Sequence, residues 1–417
     1  MEIIAQEEKY YIFHLDNGIT VLIEPLPQFM SASVGVWVNS GSIMEKEEES
    51  GISHFIEHLL FKGTKNRTAK EISQNIDSVG GVLNASCGKE ATCFFAKVVN
   101  KDIALAMDLL SDMLKNSLFL PEDVDKERKV IIEEINSLED SPEDDILNLH
   151  LKGIWNNHPL AKHVAGDKKN VARLTREEIL NYFKHFYTPQ DIVISMAGDV
   201  EVTFALELVK KYFGDIEGES DKREIPPPTF NSIFQVKEKP LEQVHICLGA
   251  PGLSSRDERR YTLGILDIIL GGSTSSRLFQ EIREERALVY SIYSFQSNYR
   301  SGGILNCYAA TSPENTFKVL DLIKREIEKI VQFGITKDEL KRAQDNFRGG
   351  IILALENTSN RMLRLARSFM TYNRVIPIKE VLEEIYSVTC EKVQSLACEL
   401  LKQKEFAVTI LGGLNKG

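Results

Sequence analysis

The chain has 417 residues, 43% of them hydrophobic, which is enough for more than one packed core. Its net charge of −11 disfavours binding to a nucleic-acid backbone, and it has no run of about 18 apolar residues that could span a membrane. No signal or transit peptide is expected at the acidic N-terminus, and six scattered cysteines without a C-x-x-C pair indicate free thiols in a reducing, cytoplasmic compartment.

Strand-like runs separated by turn signals open the chain. Tyr10 to His14 leads into Asp16-Asn17-Gly18, a strong hairpin turn, and Ile19 to Glu24 follows. Ser31 to Val38 alternates apolar and small residues, so these runs are predicted to be adjoining strands of one sheet. The acidic segment Glu45 to Ser50 is predicted to be a solvated loop.

The apolar run Ile52 to Phe61 contains the motif His54-Phe55-Ile56-Glu57-His58 and is predicted to be a helix. On a helix, His54 and His58 lie one turn apart, so both imidazoles project from one face. This pair can bind zinc, and Glu57 is placed to handle a proton. The alternative is that neighbouring polar groups satisfy both histidines.

A catalytic zinc also needs a third protein ligand. The segment Pro121 to Leu138 is predicted to be a helix with one largely apolar stripe, made of Glu127, Val130, Ile131, Glu134 and Leu138. A carboxylate on such a stripe needs a positive partner, which a metal ion would provide. We predict Glu134 as the ligand and Glu127 as a carboxylate that orients a ligand or the substrate, whereas Glu133 points toward solvent. The alternative is a frayed helix with surface charges.

Further elements complete the first half. Capping boxes predict helices starting at Thr68 and at Thr175. Asn100 is predicted to cap a helix that runs to about Lys115, and another helix is predicted from Val202 to Phe213. Val82 to Val99 is predicted to be a hairpin and Ile192 to Ala197 a strand. The acidic stretch Glu139 to Asp145 is predicted to be a solvated loop, and the alternative is that it attracts basic side chains.

The polar, proline-containing segment 214–232 is predicted to be a linker. It divides the chain into an N-terminal domain, 1–213, and a C-terminal domain, 233–417. Landmarks of the first half recur about 210 residues later, which predicts an internal duplication. In the second copy Gly264 and Ile268 occupy the ligand positions, so no metal site is expected there. The predicted fold class is α+β, with two homologous domains, each a mostly antiparallel sheet packed with helices.

Three segments together resemble a known family. They are Gly51-Ile52-Ser53-His54-Phe55-Ile56-Glu57-His58-Leu59-Leu60-Phe61-Lys62-Gly63-Thr64, Gly80-Gly81-x-x-Asn84-Ala85, and Glu127-Arg128 with Glu134. Nearly the whole chain is similar to the pitrilysin, insulin-degrading enzyme and mitochondrial processing peptidase family, whose inverted motif is H-x-x-E-H. The resemblance implies one zinc per chain, bound by His54, His58 and Glu134, with Glu57 as general base.

The resemblance implies further roles. Asn84, Ala85 and Ser86 would lie on the sheet edge to which an extended substrate adds as a strand. Arg283 and Tyr290 would reach the zinc site and polarise the scissile carbonyl, with Arg286 as the competing arginine.

At the level of the whole molecule, the resemblance implies two clam-like halves that enclose a chamber for peptide substrates. One chain supplies two of the four homologous domains of such a chamber, so a homodimer is expected. Two other functions remain possible at this stage. One is a non-catalytic scaffold or partner subunit of the same fold, and the other is a metal-dependent hydrolase of a non-peptide substrate.

Overall fold

The structure, a computed structural model, describes residues 8–219, 224–402 and 406–414. Residues 1–7, where no leader was expected, and residues 220–223 of the predicted linker lie outside the described residues. Among the helices of the described part, none combines the length and the apolar character that crossing a lipid bilayer would require.

Groups of strands and groups of helices follow one another along the chain. The first half contains β1 (Tyr11–His14), β2 (Thr20–Pro25), β3 (Ser31–Val38), α1 (Ile52–Leu59), α2 (Ala69–Ser78), β4 (Val82–Cys87), β5 (Thr92–Val99), α3 (Ile103–Asn116), α4 (Pro121–Asp140), α5 (Pro142–Trp155), α6 (Lys168–Arg173), α7 (Arg176–Phe186), β6 (Ile192–Gly198) and α8 (Val202–Phe213). The second half contains β7 (Phe234–Lys237), β8 (Val244–Pro251), α9 (Arg260–Leu270), β9 (Val289–Asn298), β10 (Gly303–Thr311), α10 (Thr316–Phe333), α11 (Lys337–Ala354), α12 (Thr358–Tyr372), α13 (Ile378–Ser387), α14 (Cys390–Leu401) and β11 (Ala407–Leu411).

Two compact units form, and neither is continuous in sequence. The first comprises residues up to Ser137, Lys162–Ile225 and Ala354–Ile376, and the second comprises Leu138–Ala161, Pro226–Leu353 and the remainder from Pro377. These units therefore differ from the predicted continuous domains, because α5 belongs to the second unit and α12 to the first. Each unit is a mostly antiparallel sheet packed with helices, so the predicted α+β fold class is confirmed.

The two sheets share one topology. In the first unit the strand order is β1-β2-β6-β3-β5-β4, and every pair is antiparallel except β2 with β6. In the second unit the order is β7-β11-β8-β10-β9, and only β7 and β11 are parallel. The strands β2 to β6 and β7 to β11 thus follow the same path, as a duplicated domain requires.

Both faces of the first sheet are buried. On one face, α12 covers Trp37 and Leu22 with Met362 and Leu365. On the other face, Val36 lies near Leu60, which follows α1, and near side chains of α3. Because β3 has apolar side chains on both faces, it can be buried at the centre of a three-layer unit.

The acidic stretch from Glu139 to Asp145 is not a loop, so that prediction was wrong. Helix α4 runs through its first residues, and α5 begins at Pro142. The Ser141 hydroxyl accepts a bond from the Asp144 N–H, and acidic side chains fill the first turn, where the helix dipole favours negative charge. Asp145 is buried and pairs with Lys237 and Lys239, each at 3.1 Å. Capping explains why this acidic sequence is helical.

Two smaller predictions were also wrong. Asn100 does not cap α3, because a 3₁₀ turn, Asn100–Asp102, comes first and α3 begins at Ile103. Val130 is 49% exposed, so it does not belong to the buried stripe of α4. The stripe is narrower than predicted and is centred on Val124, Glu127 and Ile131.

Candidate metal centre and active site

Helix α1 is held at its N-terminus by a buried carboxylate. Gly51 precedes the helix with φ of 96°, and a Cβ there would approach the Ala165 carbonyl oxygen to 2.8 Å. The Glu45 carboxylate accepts bonds from the N–H groups of Gly51 and Ser53, at 2.8 and 2.9 Å. Glu45 is fully buried, so the prediction of a solvated loop at this residue was wrong. Burial raises its pKa to about 7, although these bonds act in the opposite direction.

Three potential metal ligands converge on one side of α1. The Nε2 atoms of His54 and His58 lie 3.7 and 3.5 Å from the two carboxylate oxygens of Glu134 on α4. One ligand atom from each residue lies within 4.8 Å of the others, and no other such group of three occurs in the described part of the chain. A tetrahedral zinc at about 2 Å from each ligand needs ligand spacings of roughly 3–3.5 Å, and the two histidine–glutamate distances are close to that requirement.

The protonation states also suit a metal. Burial, together with the neighbouring His58 charge, lowers the pKa of His54 to about 4, so this imidazole is neutral at pH 7. A neutral imidazole is the form that binds zinc. The Glu134 side chain is 42% exposed, which leaves one side of the group open to water and substrate. The residues present therefore fit a catalytic zinc with three protein ligands.

Glu127 lies behind one of the histidines. Its Oε2 is 3.0 Å from His58 Nδ1, and its Oε1 is 2.8 Å from the Nζ of Lys62. Glu127 is only 5% exposed, so the structure places it as a buried carboxylate that orients an imidazole. Contact with His58 is what the first of its two predicted roles, orienting a ligand, requires.

Glu57 faces the end of an edge strand. Its Oε2 accepts a 2.7 Å bond from the N–H of Cys87, the last residue of β4. Burial raises the pKa of Glu57, and the nearby Glu134 charge acts in the same direction, whereas the Cys87 N–H and His58 lower it. A raised pKa brings a carboxylate closer to the working range of a general base.

Strand β4 forms the outer edge of the first sheet. Asn84, Ala85 and Ser86 pair with β5 on one side only. Asn84 and Ser86 are exposed, and the Asn84 side chain accepts a bond from the Ala85 N–H at 2.8 Å. The predicted substrate residues therefore lie on a free edge that leads to Glu57.

Arg283 and Tyr290 belong to the second unit, whereas the three ligands belong to the first. The Arg283 guanidinium lies 4.7 Å from the ring centre of Phe279 and 5.9 Å from that of Tyr290, which is 77% exposed. Arg286 instead pairs with Glu281 at 2.6 Å. The structure thus brings Arg283 and Tyr290 together and engages the competing arginine elsewhere.

The second copy has a carboxylate where the first has Glu57. Gly264, Asp267 and Ile268 lie on α9, and the Asp267 carboxylate accepts a bond from the Ser294 hydroxyl of β9. Because Gly264 and Ile268 offer no ligand atom, α9 cannot supply the histidine pair that α1 supplies.

Sequence reasoning missed two groups of this centre, Glu45 and Lys62. Lys62 follows His58 by four residues, and this spacing was the available signal. No local pattern distinguishes Glu45 from the other acidic residues beside it, because its burial depends on the fold around α1.

Comparison with known proteins shows the family. A family model described as insulinase (peptidase family M16) matches residues 20–168, and one described as the peptidase M16 inactive domain matches residues 173–347. An uncharacterized zinc protease of Bacillus subtilis is 35% identical over 395 residues, covering 95% of this chain and 96% of that protein. Another, from Mycobacterium leprae, is 39% identical over 407 residues, covering 95% and 90%.

Two crystal structures share the fold. A protease from Helicobacter pylori superposes with a TM-score of 0.89 at 23% identity, covering 97% of this chain and all of that one. A structure described as a peptidase M16 inactive domain, from Pseudomonas fluorescens, gives 0.91 at 17% identity, covering 97% and 98%. The family models and these relatives together define the class of protein, a two-unit α+β member of a metallopeptidase family. The chain belongs to peptidase family M16, the insulinase family, as its motifs predicted.

Proposed function

We propose that this protein is a zinc-dependent endopeptidase that cleaves unfolded peptides. The observation that carries the proposal is the convergence of His54, His58 and Glu134, whose ligand atoms lie within 4.8 Å of one another beside Glu57. Relatives named zinc proteases, 35% and 39% identical to this chain, support the same ion and reaction class.

The chemistry divides between the ion and the protein. Zinc, when bound, supplies the Lewis acidity that makes water a nucleophile near neutral pH. His54, His58 and Glu134 would hold the ion, one per chain. Glu57 accepts the proton of the attacking water and returns it to the leaving amine, as a general base that becomes a general acid.

The free edge of β4 supports an extended peptide as substrate. A peptide that pairs with Asn84, Ala85 and Ser86 gains main-chain hydrogen bonds, which tolerate many side chains. The strand ends at Cys87, whose N–H donates to Glu57, so a bound strand leads toward the base. Only an unfolded segment can present its backbone in this way, which favours peptides over folded proteins.

Replacing the base tests the reaction directly. Glu57→Gln keeps the size of the side chain but cannot accept a proton, so we expect full zinc occupancy and a loss of nearly all peptide cleavage. Zinc content is measured by elemental analysis on the same sample used for turnover of a quenched fluorescent peptide. Wild-type turnover in the zinc-loaded variant would rule out the role of Glu57.

We infer that the active form is a homodimer. A chamber of four homologous domains needs two chains, and Arg283 with Tyr290 would then approach the metal site of a partner copy and polarise the scissile carbonyl. The exposure of Tyr290 and the stacking of Arg283 on it support this role. Light scattering combined with the peptide assay should detect a dimer, and a fully active monomer would contradict the inference.

One alternative has an observation in its favour. The model matching residues 173–347 is described as an inactive domain, which would suit a non-catalytic scaffold. That segment contains Gly264 and Ile268 but none of the three ligands, so the description does not bear on the metal centre. A protein with neither zinc nor peptidase activity would favour the scaffold.

The scattered cysteines support a cytoplasmic location for either function.

A further inference from the structure

We propose that Lys62 is a positioning residue that acts on the metal site through Glu127. The proposal rests on the zinc peptidase function proposed above. Lys62 pairs with Glu127 rather than with one of the three ligands, and its Nζ lies 2.8 Å from Glu127 Oε1. The opposite carboxylate oxygen lies 3.0 Å from His58 Nδ1. A chain of three side chains therefore runs from the protein surface to a metal ligand.

The contacts of Glu127 determine which nitrogen of His58 can bind the ion. An ionised carboxylate only accepts hydrogen bonds, so His58 Nδ1 carries the proton and donates it. The lone pair of His58 is then on Nε2, the atom that lies 3.5 Å from Glu134. Glu127 thus fixes both the tautomer and the plane of the ring.

Glu127 needs a cation to remain an effective acceptor. It is 5% exposed, and a carboxylate that loses water at burial is costly unless it is paired. The side chain of Lys62 is 35% exposed, so the ammonium keeps part of its hydration while it engages Oε1. Without it, Glu127 Oε1 would lose its 2.8 Å ion pair and the carboxylate could turn away from His58.

The same pair also sets the register of two helices. Lys62 lies just after the end of α1 at Leu59, whereas Glu127 and Glu134 lie two turns apart on α4. Fixing Glu127 against Lys62 and His58 therefore also fixes where Glu134 stands relative to the histidines. A displacement of α4 would move Glu134 directly and would disturb His58 through Glu127, so it would affect two of the three ligands together.

The sign of the effect distinguishes positioning from simple electrostatics. Lys62 is positive, so its through-space effect on a divalent cation is repulsive, and removing it would tighten zinc binding. Loss of positioning has the opposite effect, because mutating a group that orients a zinc ligand typically weakens metal affinity by about 10- to 100-fold. A weaker affinity after removal of a cation is thus the signature of positioning.

The experiment measures zinc affinity of the full-length apo protein by competition with a chromophoric chelator. Lys62→Met should weaken zinc binding by about 10-fold, and Lys62→Arg should restore most of the loss. The matched control is Lys65→Met, an exposed lysine three residues away, which should leave affinity unchanged. In a Glu127→Gln background, Lys62→Met should have little further effect, because its route to the ligand is already broken.

Several results would overturn the proposal. Unchanged or tighter zinc binding in Lys62→Met would do so, as would an equal loss in both backgrounds, since Lys62 would then act without Glu127. Circular dichroism of each apo variant identifies unfolding, and Lys62→Gln, which removes the charge but keeps a polar side chain, decides the question if Lys62→Met does not fold. A wild-type chain that binds no zinc would instead overturn the proposed function, and this proposal with it. A Glu57→Gln variant that binds zinc and still cleaves peptides would refute the peptidase mechanism but not the positioning role of Lys62.

Discussion

Glu133 and Glu134 are neighbours in sequence but have different surroundings. Glu133 is exposed, whereas both carboxylate oxygens of Glu134 lie within 3.7 Å of a histidine nitrogen. Helical geometry separates adjacent side chains by about 100°, so only one of the two can face α1. That local rule was sufficient to predict which glutamate points toward the histidine pair.

This contrast supplies a matched pair of variants. Glu134→Gln removes an anionic ligand, so we expect zinc affinity to fall by at least about 10-fold, with a similar or larger loss of turnover. Glu133→Gln makes the same chemical change at an exposed position and should leave both properties within error of wild type. Equal zinc affinities of the two variants, measured by chelator competition, would exclude Glu134 as a ligand.

At the scale of elements, the segment after α1 is tied to α3 by one buried carboxylate. Asp112 is 4% exposed and accepts bonds from Thr64 and Arg67 on one oxygen, at 2.7 and 2.8 Å. Its other oxygen accepts from Asn66 and Asn116, at 2.6 and 2.8 Å. Burial alone would raise the pKa of Asp112, but these four partners together lower it. Asp112 therefore anchors the chain just beyond the histidine pair.

Asp112→Asn should destabilise the protein on the order of 2–3 kcal/mol, because an amide cannot accept from all four donors. The control is Asp108→Asn, since the Asp108 carboxylate pairs with Arg67 and its side chain is 32% exposed. That change should cost less than about 1 kcal/mol. Urea denaturation at pH 7 measures both, and equal stabilities of the two variants would contradict the anchor.

The anchor also predicts a pH dependence. The folded-state pKa of Asp112 lies below its usual value near 3.8, so its contribution to stability is present above that pH and is lost as pH falls through the folded value. The difference in unfolding free energy between wild type and Asp112→Asn should shrink when denaturation is repeated below pH 4. A difference that stays constant would show that ionisation of Asp112 does not stabilise the fold.

Local signals predicted many elements well. The capping boxes at Thr68 and Thr175 are present with both reciprocal bonds, and α8 begins and ends where predicted. These elements depend on contacts within about four residues, which the sequence contains. The acidic start of α5 was missed because charge density was given more weight than Ser141 and Pro142.

At the scale of the whole molecule, the duplicated units exchange helices. Helix α12 comes from the second half of the chain but packs on β3 and β6 of the first sheet. Helix α5 comes from the first half and packs on β8 and β11, the corresponding strands of the second sheet. Neither unit can therefore complete its sheet packing from one continuous half of the chain.

We expect that residues 1–213 expressed alone do not fold cooperatively. Without Met362 and Leu365, the sheet face containing Trp37 and Leu22 would be exposed. Exposing each large side chain to water costs about 1.5–3 kcal/mol of folding free energy. The summed cost is comparable with the free energy of unfolding of a whole domain, roughly 5–15 kcal/mol. Chemical denaturation followed by tryptophan fluorescence tests this, and co-expression with residues 224–417 is the control. A sigmoidal transition for the isolated fragment would contradict it.

The sequence by itself predicted the fold class, the duplication, the histidine pair and which of Glu133 and Glu134 faces that pair, because each depends on a short-range period or on a repeated pattern. Only the tertiary structure decided that Glu45 is buried, that Lys62 and His58 share Glu127, that Cys87 meets Glu57, and that α5 and α12 change units. Those contacts join residues far apart in the chain. Their energies depend on burial and geometry, which no local pattern encodes.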